Sequence, residues 1–211
     1  MTPPTIRTMR TGEADEAVDL AARAFHEDPL FTHLHPDPAA RPREFAIEHA
    51  AYLRRLYFPV GNAESAVVDG RLAGIALWLP PNALSGLEWR EWLCIPALLR
   101  AVGWSRTRSM LREYAAFNEA FPTDLRFHYL GLLAVDPSVQ GQGVGSALLR
   151  AGLARADAES VGAYLETGTP DNVAFYERHG FSVVREIVPP TAPRHWAMWR
   201  DARPPRPAHD R

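Results

Sequence analysis

The sequence predicts an α+β fold in which a sheet is flanked by helices and a helical block is inserted before the central strand. Three observations carry this reading. Residues 127–135 are nearly all apolar, as in a central strand covered on both faces. Residues 65–68 and 71–79 flank Asp69-Gly70, a strong two-residue hairpin signal. Between hairpin and central strand, residues 84–121 carry apolar side chains at helical spacing.

The remaining elements follow in order. Residues 5–10 alternate enough for a short first strand. Thr11 can cap a helix whose apolar stripe is Ala14, Ala17, Val18, Ala21, Ala22 and Phe25. Asp28-Pro29 is expected to end it, and residues 33–42, rich in Pro, His and Asp, to form a loop. Residues 44–57 read as a second helix, broken by Pro59, Gly61 and Asn62. Pro80-Pro81 stops the second hairpin strand. The block 84–121 reads as two helices, split near Gly103 and ended by Pro122. Asp136-Pro137 ends the central strand. Residues 143–159 then form a helix with Val144, Ala147, Leu148 and Ala151 on one face. A short strand follows at 163–167. Thr169 caps a further helix, Pro170 suits its first position, and Gly180 ends it. Residues 181–188 and 194–199 are the last strands. One domain is expected over 1–200, and a flexible Pro- and Arg-rich tail over 201–211.

The 211 residues include 23 basic and 25 acidic side chains, for a formal charge of −2. Such a chain buries a core and lacks the basic excess of a dedicated nucleic-acid binder. Every basic residue is Arg. Without Lys there is no Schiff base, no Walker A lysine and no anchor for pyridoxal phosphate. The single cysteine, Cys94, excludes an internal disulfide and a cysteine-built metal site. No apolar run reaches the roughly 18 residues of a membrane span. The first residues, Met1 to Pro4, lack the apolar stretch of a signal peptide. The expectation is a cytoplasmic protein with neither nucleic acid nor membrane as partner.

The run Gln140-Gly141-Gln142-Gly143-Val144-Gly145-Ser146 lies between a buried strand and a helix. Glycines there let backbone amides approach an anion, and a helix start adds a positive dipole end. A phosphate suits that place, although a flexible turn would use the same glycines. A Rossmann turn would put its first glycine directly after the strand; here residues 136–140 intervene.

The string 135–149 resembles the acetyl-CoA pyrophosphate loop of the GNAT superfamily of N-acetyltransferases. The family pattern Gln/Arg-x-x-Gly-x-Gly/Ala is matched by Gln140, Gly143 and Gly145. Residues 165–181 resemble the strand and helix that close over the CoA arm in that family. The two blocks span about a quarter of the chain, and as a pair they are specific. The likeness extends along most of the chain to a member that acts on a small molecule. It includes Ala24-Phe25, Trp78, Pro80, Leu165-Glu166-Thr167, Phe175, Arg178 and Trp196. The block 84–121 departs from the minimal family core as an insertion.

The resemblance implies the GNAT fold, a mixed twisted central sheet flanked by helices. It implies acetyl-CoA as co-substrate and direct attack by an amine in a ternary complex. Backbone groups of Leu133, Ala134 and Val135 would hold the pantetheine arm, with the Val135 amide facing the thioester oxygen. Amides from Gly141 to Ser146, with Gln140 before them, would hold the pyrophosphate. Asn172 would contact the pantetheine arm, and Tyr176 would be the general acid. Asn172 and Tyr176, four apart, share a helix face. A phenol with ordinary pKa of about 10 stays protonated at neutral pH and can protonate a thiolate. The plainer alternative is that Tyr176 packs against the sheet.

Glu166 could take the amine proton, attract a cationic amine, or simply order the turn at Gly168-Thr169. Glu27, Asp28 and Glu48 are weaker candidates for recognising positive charge. His26, His33 and His35 have irregular spacing, and no metal is expected from them. His128, inside the central strand, suits a core histidine better than a base. Cys94, in an apolar helical run, suits an inert thiol. Trp89, Trp92 and Trp104 either line an aromatic acceptor site or pack the insertion, and core packing is the expectation. The acceptor is expected to be a small-molecule amine shaped by residues 27–42 and 84–121. A homodimer is left open. A regulatory module that binds acyl-CoA without turnover is the competing reading.

Overall fold

The computed structural model describes residues 3–84 and 87–203, with the backbone alone described at 87–89. Its strands are β1 (Thr5–Thr8), β2 (Asn62–Val68), β3 (Arg71–Leu79), β4 (Phe127–Val135), β5 (Gly162–Thr167), β6 (Ser182–Ile187) and β7 (His195–Arg200). They form one sheet in the order β1-β2-β3-β4-β5-β7-β6. Every pairing is antiparallel except β4 with β5. The helices are α1 (Ala14–Ala24), α2 (Pro29–Leu34), α3 (Arg41–Tyr52), α4 (Phe58–Val60), α5 (Pro81–Leu84), α6 (Leu87–Trp92), α7 (Ile95–Ala120), α8 (Val144–Ala158) and α9 (Pro170–Glu177). This is the mixed, helix-flanked sheet that the sequence predicts, with α5 to α7 inserted before β4. Among the described residues no helix is long and apolar enough to cross a membrane.

Alternation along the strands sorts the core into two layers. On one face Trp78, Leu130, Ala163, Leu165 and Met198 meet Val144, Leu148 and Leu149 of α8 and Tyr176 of α9. On the other face Ile75, Leu77, Leu132 and Ala134 meet α1 and α3. There Phe127, Tyr164 and Ala197 also meet Phe117 and Ala120 of α7. The α8 contact with Trp78 is close: a Cβ on Gly152 would stand 2.2 Å from the Trp78 ring. Gly152→Ala is therefore expected to destabilise by about 1–3 kcal/mol through overpacking, read as a lower melting temperature.

The insertion is bound into the second layer by buried charge. Arg106 of α7 donates two hydrogen bonds to Glu44, each 2.8 Å, and one to the Leu34 carbonyl at 2.7 Å. His35 Nδ1 donates to Glu44 at 2.9 Å, and the Tyr114 hydroxyl donates to Glu48 at 3.3 Å. Breaking such a pair from one side strands a buried charge, so α2, α3 and α7 behave as one unit.

Several expectations need correction. Asp28-Pro29, expected to end the first helix, instead starts a second, because Asp28 accepts from the Leu30 and Phe31 amides and Pro29 suits the first helical position; the expected loop over 33–42 shrinks to the stretch between Leu34 and Arg41. Thr11 is not a cap; it opens a 3-10 turn, Thr11–Glu13, that precedes α1. The helix expected over 44–57 begins at Arg41 and passes through a π-type turn, Leu53–Tyr57, before α4. The inserted block comprises α5, α6 and α7, with the expected break at Gly103, which takes a non-helical φ of 76°. Trp92 and Trp104 are 71% and 72% exposed, so neither packs the insertion; the Trp89 side chain lies outside the described residues. The tail is anchored where it starts, for the Arg203 amide donates to Asp157 at 2.7 Å, while residues 204–211 lie outside the described residues.

Candidate active site

β4 and β5 pair only at Phe127, His128 and Tyr129. Beyond Tyr129 the two strands leave a wedge between them. A bulge in β4 contributes: Leu77 faces Leu132 and Trp78 faces Leu130, which leaves Gly131 without a partner on β3. A Cβ at Gly131 would stand 1.9 Å from the Tyr57 hydroxyl, so a larger residue there would have to displace that buried ring. The extra residue also reverses the facing of the strand. Leu130 lies on the α8 side, whereas Leu132 and Ala134 lie on the α1 and α3 side.

The backbone of the wedge follows from one hydrogen bond. The Asp136 amide donates to the Ala73 carbonyl of β3 at 2.9 Å. Peptide groups alternate sides along a strand, so those of Leu133 and Val135 turn away from β3, toward the wedge. Ala134, by the same alternation, spends its groups on β3 and does not offer them there. The Val135 carbonyl accepts from Gln140 Nε2 at 3.2 Å, which leaves the Val135 amide as the group available to a ligand.

The glycine loop opens beside this strand end. Asp136 accepts from the Ser138 amide and hydroxyl, and its bond to Arg23 holds its pKa down to about 2. Gly141 and Gly143 have φ of 75° and 86°, where side chains are strained. No atom lies within 4 Å of the place a Cβ would take at either glycine. Gly143 precedes the first residue of α8, Val144, so the amides from Gly141 to Ser146 converge at the positive end of a 15-residue helix. Gly145 sits close against the end of β4, where a Cβ would stand 3.3 Å from Val135 Cγ2. The Gln140 and Gln142 side chains brace the loop, Gln142 by donating to the Ser138 carbonyl at 3.4 Å. An open cradle of amides with no Cβ in the way fits a pyrophosphate.

Tyr176 and Glu166 belong to opposite faces of the sheet. Thr169 caps α9 by accepting from the Asn172 amide at 3.3 Å, which starts the helix beside the end of β5. One turn on, Tyr176 is 9% exposed between the rings of Phe175 and Phe181. Its hydroxyl makes no hydrogen bond among the described residues, and burial pushes its pKa upward. Asn172, four residues earlier, is exposed. On β5, Leu165 faces α8, so Glu166 faces the insertion. Glu166 is half-buried, and its carboxyl is pushed up to about 7 by burial, against hydrogen bonds from Tyr129 and Tyr164 and with Glu91 adding to the rise. A carboxyl near 7 is matched to proton transfer at neutral pH.

The other candidates separate. His35 is buried between Glu44 and Glu48, His33 is exposed and within 3.2 Å of the Thr191 hydroxyl, and His26 lies 3.4 Å from Glu27 at the surface. The three point to three different partners, and among the described residues no group of His, Cys, Asp and Glu is placed to hold a metal. Glu48 belongs to the buried network, and Asp28 is spent on the α2 cap. His128 lies on the α8 side, 3.2 Å from Glu159, away from Glu166. The Cys94 thiol is buried and pushed up to about 11 by burial, so it is no thiolate nucleophile. Of the tyrosines on Glu166, Tyr164 has a signal in sequence, since it lies two residues before Glu166 and so on the same strand face; Tyr129 has none.

Comparison with known proteins bears on the fold and the class of enzyme. Residues 105–183 match the family model described as acetyltransferase (GNAT) domain. A solved structure from Corynebacterium glutamicum, described as histone acetyltransferase HPA2 and related acetyltransferase, is 26% identical with a TM-score of 0.75, covering 97% of this chain and 99% of its own. An N-acetyltransferase from Staphylococcus aureus is 15% identical with a TM-score of 0.61, over 92% and 99% of the two chains. A polyamine N-acetyltransferase from Drosophila melanogaster is 17% identical with a TM-score of 0.57, over 94% and 99%. The chain has the GNAT fold. Its class is that of an acyltransferase, and the GNAT family whose model matches residues 105–183 generally uses acetyl-CoA as co-substrate.

Proposed function

We propose that this protein transfers the acetyl group of acetyl-CoA to the amine of a small molecule, by direct attack in a ternary complex. The observation that carries the reading is the wedge between β4 and β5. The Leu133 and Val135 amides face into it and the amide cradle of α8 stands at one end, while Glu166 and Tyr176 belong to opposite faces of the same sheet.

In this reading the cradle from Gly141 to Ser146, with Gln140 bracing it, holds the pyrophosphate. Leu133 and Val135 hold the pantetheine arm, with Asn172 at its open edge and Ala134 fixing the strand to β3. The Val135 amide donates to the thioester oxygen as charge develops there. Glu166 takes a proton from the attacking nitrogen. Tyr176, protonated because burial raises its pKa, donates its phenolic proton to the departing sulfur. Acid and base work on opposite sides of the sheet, so neither needs to travel. A likeness to puromycin N-acetyltransferase, carried by Trp78, Pro80, Leu165 to Thr167 and Phe175 to Arg178, supports a small-molecule acceptor. The test is thiol release from acetyl-CoA over a panel of primary alkylamines, arylalkylamines and puromycin. Amine-dependent release supports the reading; none across the panel contradicts it.

A further inference from the structure

An amine that enters as an ammonium ion must lose two protons to become an amide. One leaves before attack, to free the lone pair, and one leaves as the new C–N bond forms. Glu166 can take one of them. The acceptor side of the sheet holds a second base that the reading above does not use, His195.

Register places it. Glu166 pairs with Ala197 and Thr167 with Trp196, so His195, two residues before Ala197, shares the sheet face of Glu166. Such diagonal neighbours have backbone positions roughly 7–8 Å apart, close enough for long side chains on one face to converge on a ligand between them. The imidazole comes against Gly168, where a Cβ would stand 2.6 Å from Nε2. Its orientation is set: Nδ1 lies 2.9 Å from the Pro193 carbonyl, an acceptor only, so Nδ1 carries the hydrogen and Nε2 the lone pair. Nε2 makes no hydrogen bond among the described residues.

The support around it is built. Glu113 of α7 accepts from the Thr191 amide and hydroxyl and from the Ala192 amide, which pins the loop carrying Pro193. Phe117 of α7 meets the imidazole edge-on at 5.0 Å between centroids. The charged group acting on it is Asp28 from the α2 cap; Glu113 stands at one remove through Thr191, Glu166 lies diagonally across on β5, and Glu186 of β6, paired with Arg194, falls on the opposite sheet face beside Trp196. Burial lowers the His195 pKa against the opposing effects of the Pro193 carbonyl and Asp28, so the ring is neutral at neutral pH.

We propose that His195 Nε2 is the first proton acceptor of the reaction, taking a proton from the ammonium form of the amine before Glu166 takes the second. An N–H bond of the ammonium breaks and an Nε2–H bond forms. The freed nitrogen attacks the thioester carbon, its second proton passes to Glu166, and the C–S bond breaks as Tyr176 protonates the sulfur. The imidazolium then returns its proton to water, and exchange with solvent carries the proton on Glu166 back to the Tyr176 phenolate, so that one proton is released per turnover. The inference rests on the acetyl-transfer reading.

The test is the pH dependence of kcat/KM with acetyl-CoA and the most active primary alkylamine of the panel, in wild type and in His195→Asn. Asn keeps a donor for the Pro193 carbonyl and removes Nε2. Two bases that must both be unprotonated make the wild-type rate fall below neutrality with a limiting slope of about two, and the variant with a slope of about one. Turnover at pH 7 should fall by about 10²-fold with acetyl-CoA affinity unchanged, in a variant that stays folded although the lost packing against Phe117 lowers its melting temperature. A variant profile lowered uniformly with slope two overturns the proposal. If Asn prevents folding, His195→Gln is read the same way. A wild-type slope of one overturns it with no variant needed. A wild type that acetylates no amine overturns the underlying reading and this proposal together, whereas turnover with slope one sinks this proposal alone.

Discussion

Tyr176→Phe is expected to lower kcat by about 10²-fold or more while leaving acetyl-CoA affinity near the wild-type value. The phenol has no hydrogen-bond partner among the described residues, so its removal breaks no structural bond. The ring still fills the space between Phe175 and Phe181, and stability should hold. What is lost is the proton donor for the sulfur. The variant should recover when the departing thiol is a weaker base, since a better leaving group needs less protonation. Steady-state kinetics with acetyl-CoA and the active amine measure this directly; unchanged turnover would remove Tyr176 from the chemistry and leave it as a packing residue.

Glu166→Gln is expected to abolish the ionisation near 7 in the rate profile and to cost about 10²-fold at pH 8. The sign follows from the base role. Glu166 must be ionised to take a proton, so wild-type activity rises with pH through about 7, the value to which burial pushes the group. Stability moves the other way. A carboxyl whose pKa is raised on folding contributes stability that is full below its unfolded value of about 4.3 and is lost as pH rises through its folded value. The Gln variant carries no such charge. Its melting temperature, compared with wild type, should therefore gain as pH rises from 4 to 8. Opposite trends in activity and relative stability, measured across one pH series, identify a buried base. A flat difference in melting temperature would mean that Glu166 is solvated.

Much of this site is readable from local chemistry. A run of apolar residues names β4, glycines after Asp136-Pro137 name the cradle, and Thr169-Pro170 names the start of α9. Each signal lies within a few residues of the thing it specifies. The misreadings have physical reasons too. Asp-Pro is as good a helix start as a helix stop, and only the chain beyond it decides; at Asp28 the amides of Leu30 and Phe31 fold back to the carboxylate. Trp92 and Trp104 obey helical spacing yet face solvent, because spacing tells which residues share a face and not what covers it. Gly131 carries no sequence signal for a bulge, since the extra residue is defined by its neighbour strand. His195 is silent in sequence for the same reason. Its place beside Glu166 comes from strand pairing across residues far apart in the chain.

The most direct test of the central claim is calorimetric titration with acetyl-CoA, using NADH as control, in wild type and in Gly143→Trp. Gly143 sits at a φ of 86° with open space where a Cβ would stand, so the indole should both strain the turn and fill the cradle. The account predicts saturable binding of acetyl-CoA but not NADH to the wild type, and a loss of about 10²-fold or more in a variant that is still folded at the assay temperature, its melting temperature lowered by the strain at Gly143. Equal affinity in the two proteins, or no binding by the wild type, would contradict it.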